Sequence, residues 1–349
     1  MSPFKVYIAE GIRPTIFTKW IPDIEEEILG SQFNISLLDK GREEEILPIV
    51  EDADAMIVRP GIQITSASLD ILKNCKIIAN MAIGFDNIDI EYAAKKNILV
   101  CNVPDYGTEE VADSTFALLL SLAKKISLYN LKIREESIWD WREGKPQHRM
   151  RGRTLGIIGL GRIGTAMAQR AKPFGLNIIY YDPYKPNGLD KALGITKCDH
   201  LEELVSTSDY ITIHTPLTDE TQGMLNMDFF SNTKKDLILI NTARGKLFDS
   251  FETIHTILKE NIVSGLGLDV LPTEPPGYNE KIIKAWQNDE LWIKNRLILL
   301  PHASFYSEGA IRDIRLKAAL AIKKFFAGDK LKNVINKDFL PEEIRKSLL

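Results

Sequence analysis

Gly159-Leu160-Gly161-Arg162-Ile163-Gly164 has the spacing that brings a backbone close to a pyrophosphate. It follows the apolar run Leu155–Ile158 and opens a helical stretch reaching Phe174, which is the strand–turn–helix setting this spacing requires. The first glycine permits the tight turn, the second admits the phosphates, and the third lets helix pack on strand, with the helix N-terminus facing the anion. The next strand, Asn177–Tyr181, ends at Asp182, 18 residues after Gly164, where an acid reads ribose hydroxyls. A carboxylate there repels a 2′-phosphate, so NAD is expected over NADP. Arg162 and Ile163 lie inside the turn, with Arg162 read as a solvated side chain near the pyrophosphate.

Hydride transfer between a nicotinamide and a hydroxyl or carbonyl carbon also moves a proton at oxygen, and histidine is the side chain best poised to do so near neutral pH. There are five: His148, His200, His214, His255 and His302. His302 alone follows both a strand and a proline, at the C-terminal edge where doubly wound sheets hold ligands. His148 lies in a polar arm, and His200 and His255 sit in helical stretches, so surface or packing roles are expected for all three. His214 ends a strand and, with Thr215 and Pro216, is expected to line the cofactor crevice without doing proton chemistry. The strand Leu237–Ile240 runs into Asn241-Thr242-Ala243-Arg244-Gly245, and Leu266–Asp269 into Val270-Leu271-Pro272-Thr273-Glu274-Pro275. An arginine fork suits a substrate carboxylate, and a glutamate beside a histidine favours the protonated ring and fixes its tautomer. Thr242 and Ala243 fall on the cofactor side of the first of these loops.

These groups need a scaffold. Short β-branched runs at Val6–Ile8, Ile35–Leu38, Ala55–Val58, Lys76–Ala79 and Ile98–Cys101 alternate with helical stretches. A second series runs through Leu155–Ile158, Asn177–Tyr181, Tyr210–His214, Leu237–Ile240, Leu266–Asp269 and Leu297–Leu300. Such alternation predicts an α/β protein with two doubly wound parallel sheets. Between the series, Val111, Phe116, Leu119 and Leu122 recur at helical spacing after Glu109 and Glu110, predicting a buried connecting helix. Leu128–Arg153 shows no sustained periodicity and reads as an arm or loop of the kind that binds a second subunit. Ala310–Phe326, ended by Gly328, is one more helix, placed to return to the first domain, and residues 330–349 read as a short polar tail.

With 349 residues the chain fits about two domains. Hydrophobic residues at 44% and charged residues at 26% exclude disordered, collagen-like and coiled-coil classes. Lys+Arg at 44 against Asp+Glu at 48 gives −4, with neither sign concentrated in one half, so no nucleic-acid partner is expected. Cys75, Cys101 and Cys198 are odd in number and form no CxxC pair, which predicts neither disulfide framework nor zinc site and fits a cytoplasmic protein. Phe4–Ala9, broken by Glu10, reads as a first strand rather than a signal peptide, and no stretch approaches the roughly 18 apolar residues of a membrane span.

The GxGxxG with its acid, the Thr242-Ala243-Arg244-Gly245 sequence, Leu268-Asp269-Val270 followed by Glu274-Pro275, and Pro301-His302 followed by Tyr306-Ser307-Glu308 together resemble the D-isomer-specific 2-hydroxyacid dehydrogenases. Within that family, Val103–Asp113, Trp139-Asp140-Trp141, Tyr181-Asp182-Pro183-Tyr184 and Asn333-Val334-Ile335-Asn336 resemble the C-terminal-binding-protein-like branch, which holds dehydrogenases and animal corepressors. The resemblance implies a Rossmann-type NAD domain, residues 103–302, inserted into a flavodoxin-like substrate domain of residues 1–102 and 303–349, with the active site in the cleft. It implies that His302 is the acid/base, Glu274 its partner and Arg244 the substrate anchor, while Asp269 approaches the nicotinamide carboxamide. It further implies a homodimer that exchanges the helix after Thr108 and the arm near Trp139.

Two positions depart from the family pattern. Asn80-Met81-Ala82-Ile83-Gly84-Phe85-Asp86-Asn87 replaces the usual Arg or Val and Gly-x-Gly loop, leaving backbone N–H groups of Ile83 and Gly84 to receive a carboxylate. Phe305 stands where the corepressor branch has Trp. The expected function is NAD-dependent interconversion of a D-2-hydroxy acid and its 2-keto acid. The alternatives are an NADH-sensing protein-binding module like the corepressors, or a phosphoglycerate-type dehydrogenase, which needs cations in the substrate cleft that Asn80 does not supply but Arg59 or lysines elsewhere could. Glu274 disfavours a formate dehydrogenase, which pairs its histidine with Gln.

Overall fold

The structure, a computed structural model, describes residues 3–9, 21–38 and 42–347; Glu10, read as breaking the first strand, lies outside them. The chain divides into two compact units, Met1–Tyr106 with Ser307–Leu349, and Gly107–Tyr306.

In the first unit, β1 (Phe4–Ala9), β2 (Phe33–Leu38), β3 (Ala55–Val58), β4 (Ile77–Asn80) and β5 (Leu99–Asn102) form one parallel sheet in the order β2-β1-β3-β4-β5. That is the flavodoxin-like doubly wound order. Every residue of β3 and β4 is buried because helices cover both faces, which is why these strands read as unbroken apolar runs. One face packs Val6, Ile57 and Ala79 against Leu29, Ala318 and Ile322; the other packs Met56, Val58 and Ile78 against Ile46, Leu69 and Ala93. The helix Glu308–Phe326 therefore does return to the first sheet, capped by Ser307, whose Oγ accepts Ala310 N–H at 2.9 Å. Its Arg315 pairs with the fully buried Glu25 at 2.6 Å.

The segment 330–349 is not a plain polar tail. Val334 bridges Cys101 in antiparallel pairing, so the chain covers the open edge of β5. Asn336, fully buried, accepts Val100 N–H at 3.0 Å through Oδ1 and donates through Nδ2 to Ile98 O at 2.9 Å. Leu340 is buried in the core with Leu331, Val334 and Ile344 packed beside it, but these residues are widely and irregularly spaced, so hydrophobic periodicity does not register the segment.

The second unit carries β6 (Thr154–Ile158), β7 (Asn177–Tyr181), β8 (Thr196–Lys197), β9 (Tyr210–Ile213), β10 (Leu237–Asn241), β11 (Val263–Leu268) and β12 (Leu297–Leu299). Their order, β12-β11-β10-β9-β6-β7-β8, reverses direction between β6 and β9, which creates the crevice where such sheets bind dinucleotides. The two-residue β8 is too short to leave a pattern in the sequence. The helix Thr108–Ala123 buries Phe116, Leu119 and Leu122 against this sheet, as its spacing predicts.

The arm is more ordered than expected: Ile126–Glu136 is an α-helix and Trp141–Gly144 a 3₁₀ turn. No residue of that helix is buried, and Lys132 ties it together through Glu136 at 2.7 Å and Glu143 at 3.3 Å. The Lys132–Glu136 pair at i, i+4 supports it, while its apolar residues Ile126 and Ile133 stay exposed. Among the described residues, no helix is long and apolar enough to cross a membrane.

Replacing Asn336 with Ala strands the buried Val100 N–H and Ile98 carbonyl, and should cost about 2–6 kcal/mol at roughly 1–3 kcal/mol per orphaned group. Urea unfolding checks this; a loss under about 1 kcal/mol would mean that water replaces the carboxamide.

Candidate active site

At the end of β6 the chain turns back on itself through Gly159, at φ +90° and with its N–H donated to Tyr181 O at 2.9 Å. A Cβ there would lie 2.8 Å from the His214 carbonyl, and one on Gly164 only 2.1 Å from Gly159 O, so strand, turn and helix meet backbone to backbone. Around Gly161 the same test finds nothing within 4 Å, which leaves a cradle for phosphate oxygens at the N-terminus of the helix Arg162–Ala171. Asp182 is fixed beside this cradle, accepting Leu160 N–H at 2.8 Å through Oδ2 and Tyr184 N–H at 3.1 Å through Oδ1. Arg162 is exposed and Ile163 half-buried. Beyond β9, the buried His214 Nε2 and Thr215 Oγ1 have no protein partner, as donors waiting for a ligand would. Pro216 accepts Thr221 Oγ1 at 2.7 Å. The residues fit a bound NAD, with Gly159, Gly161 and Gly164 against the pyrophosphate and Asp182 at the ribose. Burial pushes the His214 ring down to about 3, so it is neutral at pH 7 and has no imidazolium proton to give.

Three neighbouring strand ends bring the acid–base groups together. After β12, His302 adopts a left-handed conformation at φ +52°. Asp269, 2% exposed at the end of β11, imposes this shape. Its carbonyl accepts His302 N–H at 2.9 Å, and its Oδ1 and Oδ2 accept the N–H groups of Ala303 at 2.7 Å and Ser304 at 3.0 Å. The His302 ring faces Glu274, with Nδ1 to Oε2 at 2.7 Å, and the other oxygen, Oε1, accepts Leu271 N–H at 3.0 Å. That pairing assigns the ring hydrogen to Nδ1 and directs Nε2 away from Glu274. Burial pushes the Glu274 carboxyl up, but the His302 hydrogen bond and charge, the Leu271 N–H and the Arg244 charge outweigh it and hold it below its usual 4.5.

Arg244 follows β10 in a loop that Asn241 clips from both sides, donating through Nδ2 to Arg244 O at 2.9 Å and accepting Ala243 N–H at 3.0 Å. Arg244 Nη1 donates to Ala243 O at 2.8 Å. A Cβ on Gly245 would fall 1.9 Å from Leu271 O, so this loop lies directly on the one that carries Glu274. Thr242 spends its hydroxyl on Thr115 Oγ1, at 2.7 Å. Phe305 stands edge-on to His302 with ring centroids 6.4 Å apart.

The remaining histidines lie elsewhere. His148 approaches Asp236 at 4.0 Å, and His255 packs on Trp292. His200 stands just before the helix Leu201–Thr207 rather than inside it, because its extended backbone makes it the N-cap. The positioning roles of Asp269 and Asn241 were not foreseen. An acid at a strand end was visible, but its backbone partners lie 34 and 35 residues away.

In the first unit, Asn80 Nδ2 donates to Gly84 O at 2.9 Å, and Asn102 Nδ2 to Ile83 O at 2.7 Å. Ala82 O accepts Val103 N–H at 3.0 Å, and because carbonyl and following N–H point oppositely across a trans peptide, the N–H groups of Ile83, Gly84 and Phe85 all turn away from these partners. No group of three or more His, Cys, Asp or Glu among the described residues could hold a metal ion.

The family model for the D-isomer specific 2-hydroxyacid dehydrogenase, NAD binding domain, matches residues 116–304. D-3-phosphoglycerate dehydrogenase of Methanocaldococcus jannaschii is 35% identical over 300 residues, 86% of this chain, which spans 55% of that longer protein. Glyoxylate reductase of Thermococcus kodakarensis is 34% identical over 96% of this chain and 99% of its own length. The structure of D-lactate dehydrogenase from Aquifex aeolicus, complexed with NAD and lactic acid, superposes with a TM-score of 0.78 at 29% identity, covering 93% of this chain and 96% of the other. The chain belongs to the D-isomer specific 2-hydroxyacid dehydrogenase family, and residues 116–304 form its NAD-binding domain.

Proposed function

We propose that the chain interconverts a small D-2-hydroxy acid and its 2-keto acid, with His302 as acid/base, Glu274 as its partner and Arg244 as substrate anchor. The observation that carries this is the bond from His302 Nδ1 to Glu274 at 2.7 Å, which leaves Nε2 as the proton-bearing face of the ring. The nicotinamide, when bound, supplies or takes the hydride. In reduction, Nε2–H of protonated His302 gives its proton to the keto oxygen, and Glu274 stabilises the imidazolium beforehand and holds its orientation. The Arg244 guanidinium binds the carboxylate and stabilises the negative charge that grows on the oxygen. In oxidation the neutral ring takes the hydroxyl proton back. Gly159, Gly161, Arg162, Ile163, Gly164, Asp182, His214, Thr215, Pro216, Thr242, Ala243 and Asp269 are assigned to the cofactor side. Asn80, Ile83, Gly84 and Phe305 are assigned to the substrate side.

Glyoxylate reductase and a D-lactate dehydrogenase complexed with lactic acid among the relatives support a short, unphosphorylated acid, and so does neutral Asn80 where a cation would serve a phosphate. A homodimer through the arm is supported by Trp139 and Trp141, 87% and 70% exposed, beside the exposed Ile126 and Ile133. Three free, buried cysteines support a reducing cytoplasm.

His302→Ala and Arg244→Ala should each lose at least about 100-fold in turnover, the scale of a general acid or a transition-state charge partner, while NADH affinity changes little. Retained turnover in His302→Ala would move the proton donor elsewhere. Glu274, held below its usual 4.5, carries its negative charge throughout the neutral range. Glu274→Gln removes that charge beside the proton donor, so the basic limb of kcat/KM for reduction should move to lower pH, with acidic activity comparatively spared. Superimposable pH profiles would take Glu274 out of the proton chemistry.

A further inference from the structure

Two loops rise beside the glycine turn: one after β7, beginning at Asp182, and one after β9, beginning at His214. They are joined by a side-chain bridge in which Tyr184 Oη donates to Glu220 Oε2. Both ends of this bridge are built in. Tyr184 is keyed to the ribose-reading acid through its N–H on Asp182 Oδ1 at 3.1 Å, while its ring stays 78% exposed, an open aromatic face next to the ribose position. The Glu220 loop is stapled to itself: Thr221 Oγ1 donates to Pro216 O at 2.7 Å, Thr218 N–H to Thr221 Oγ1 at 2.9 Å, and Gln222 N–H to Thr218 O at 2.9 Å. Glu220 thus stands on a loop closed on itself, with its exposed carboxylate joined to the Asp182 loop through the Tyr184 hydroxyl. The loop from Asp182 to Gly188 contains a single cation, Lys185, the feature that would welcome a 2′-phosphate. Against it stand two carboxylates.

We propose that Glu220, held by Tyr184, is a second determinant of dinucleotide choice, adding its charge to that of Asp182 in repelling a ribose 2′-phosphate. Neutralising Asp182 alone then leaves much of the preference for NADH over NADPH in place. The proposal rests on the NAD-binding assignment and deepens it, since fingerprint logic places the discrimination in Asp182 alone.

Dissociation constants for NADH and NADPH, read from energy transfer between the tryptophans and the nicotinamide, test it without turnover. The comparison covers wild type, Glu220→Gln, Asp182→Ser, their combination and Tyr184→Phe. Glu220→Gln should tighten NADPH by about fivefold, the scale of one partly screened charge, and leave NADH within about twofold. Asp182→Ser should do the same for NADPH, and the combination should multiply the two gains. Tyr184→Phe keeps the ring but releases the carboxylate, and should tighten NADPH by an intermediate amount. All of these gains should shrink in about 0.5 M salt. An equal shift of both dinucleotides in Glu220→Gln, or none in either, overturns the proposal and makes the bridge a surface contact. Wild type binding neither dinucleotide overturns the nucleotide assignment itself, and the proposal with it.

Discussion

The acid–base chemistry hangs on one buried carboxylate that touches none of the reacting atoms in the proposed mechanism. Asp269 accepts three consecutive backbone N–H groups, from His302, Ala303 and Ser304, through its carbonyl and both side-chain oxygens. A nest of successive N–H groups is a natural anion receptor, and filling it with a fixed carboxylate sets the local main chain. The left-handed conformation of His302 costs on the order of 1 kcal/mol in a non-glycine residue and persists only where surroundings over-determine it. Here charge-assisted hydrogen bonds in a buried setting do that, and the imidazole is aimed by the backbone before its ring meets any partner.

The other two groups are held by the same means. Arg244 and Glu274 sit on adjacent loops that touch through Gly245 and the Leu271 carbonyl, and each loop is closed by a side chain folding back on its own main chain: Asn241 on the first, Glu274 on the second. Glu274 thus has two jobs with two oxygens, one fixing its turn and one fixing the ring of His302. Catalytic groups on loops become precise when the loops are pinned to strand ends, and β10, β11 and β12 are neighbours in the sheet.

The sheets and the glycine turn were legible in the sequence because they are written in period and spacing. β7 follows the expected residues, and Gly159, Gly161 and Gly164 each meet the steric demand that their spacing implies. What escaped was held by other forces. The Lys132–Glu136 pair ties the helix Ile126–Glu136, the Asn336 carboxamide joins the C-terminal segment to β5, and the Asp269 clamp works across more than thirty residues. None of these leaves a repeating apolar signal. Arg244, Glu274 and His302 were visible as strand-end residues, but their convergence depends on a strand order that the sequence does not print.

The most direct test of the proposed chemistry is the handedness of the product. Purified protein, NADH and a panel of short 2-keto acids headed by pyruvate should show loss of NADH absorbance matched mole for mole by a 2-hydroxy acid that chiral chromatography resolves as the D form. Formation of the L form, or of a racemate, would contradict the assignment of His302, Glu274 and Arg244, and so would no NADH consumption with any 2-keto acid under conditions where NADH binds.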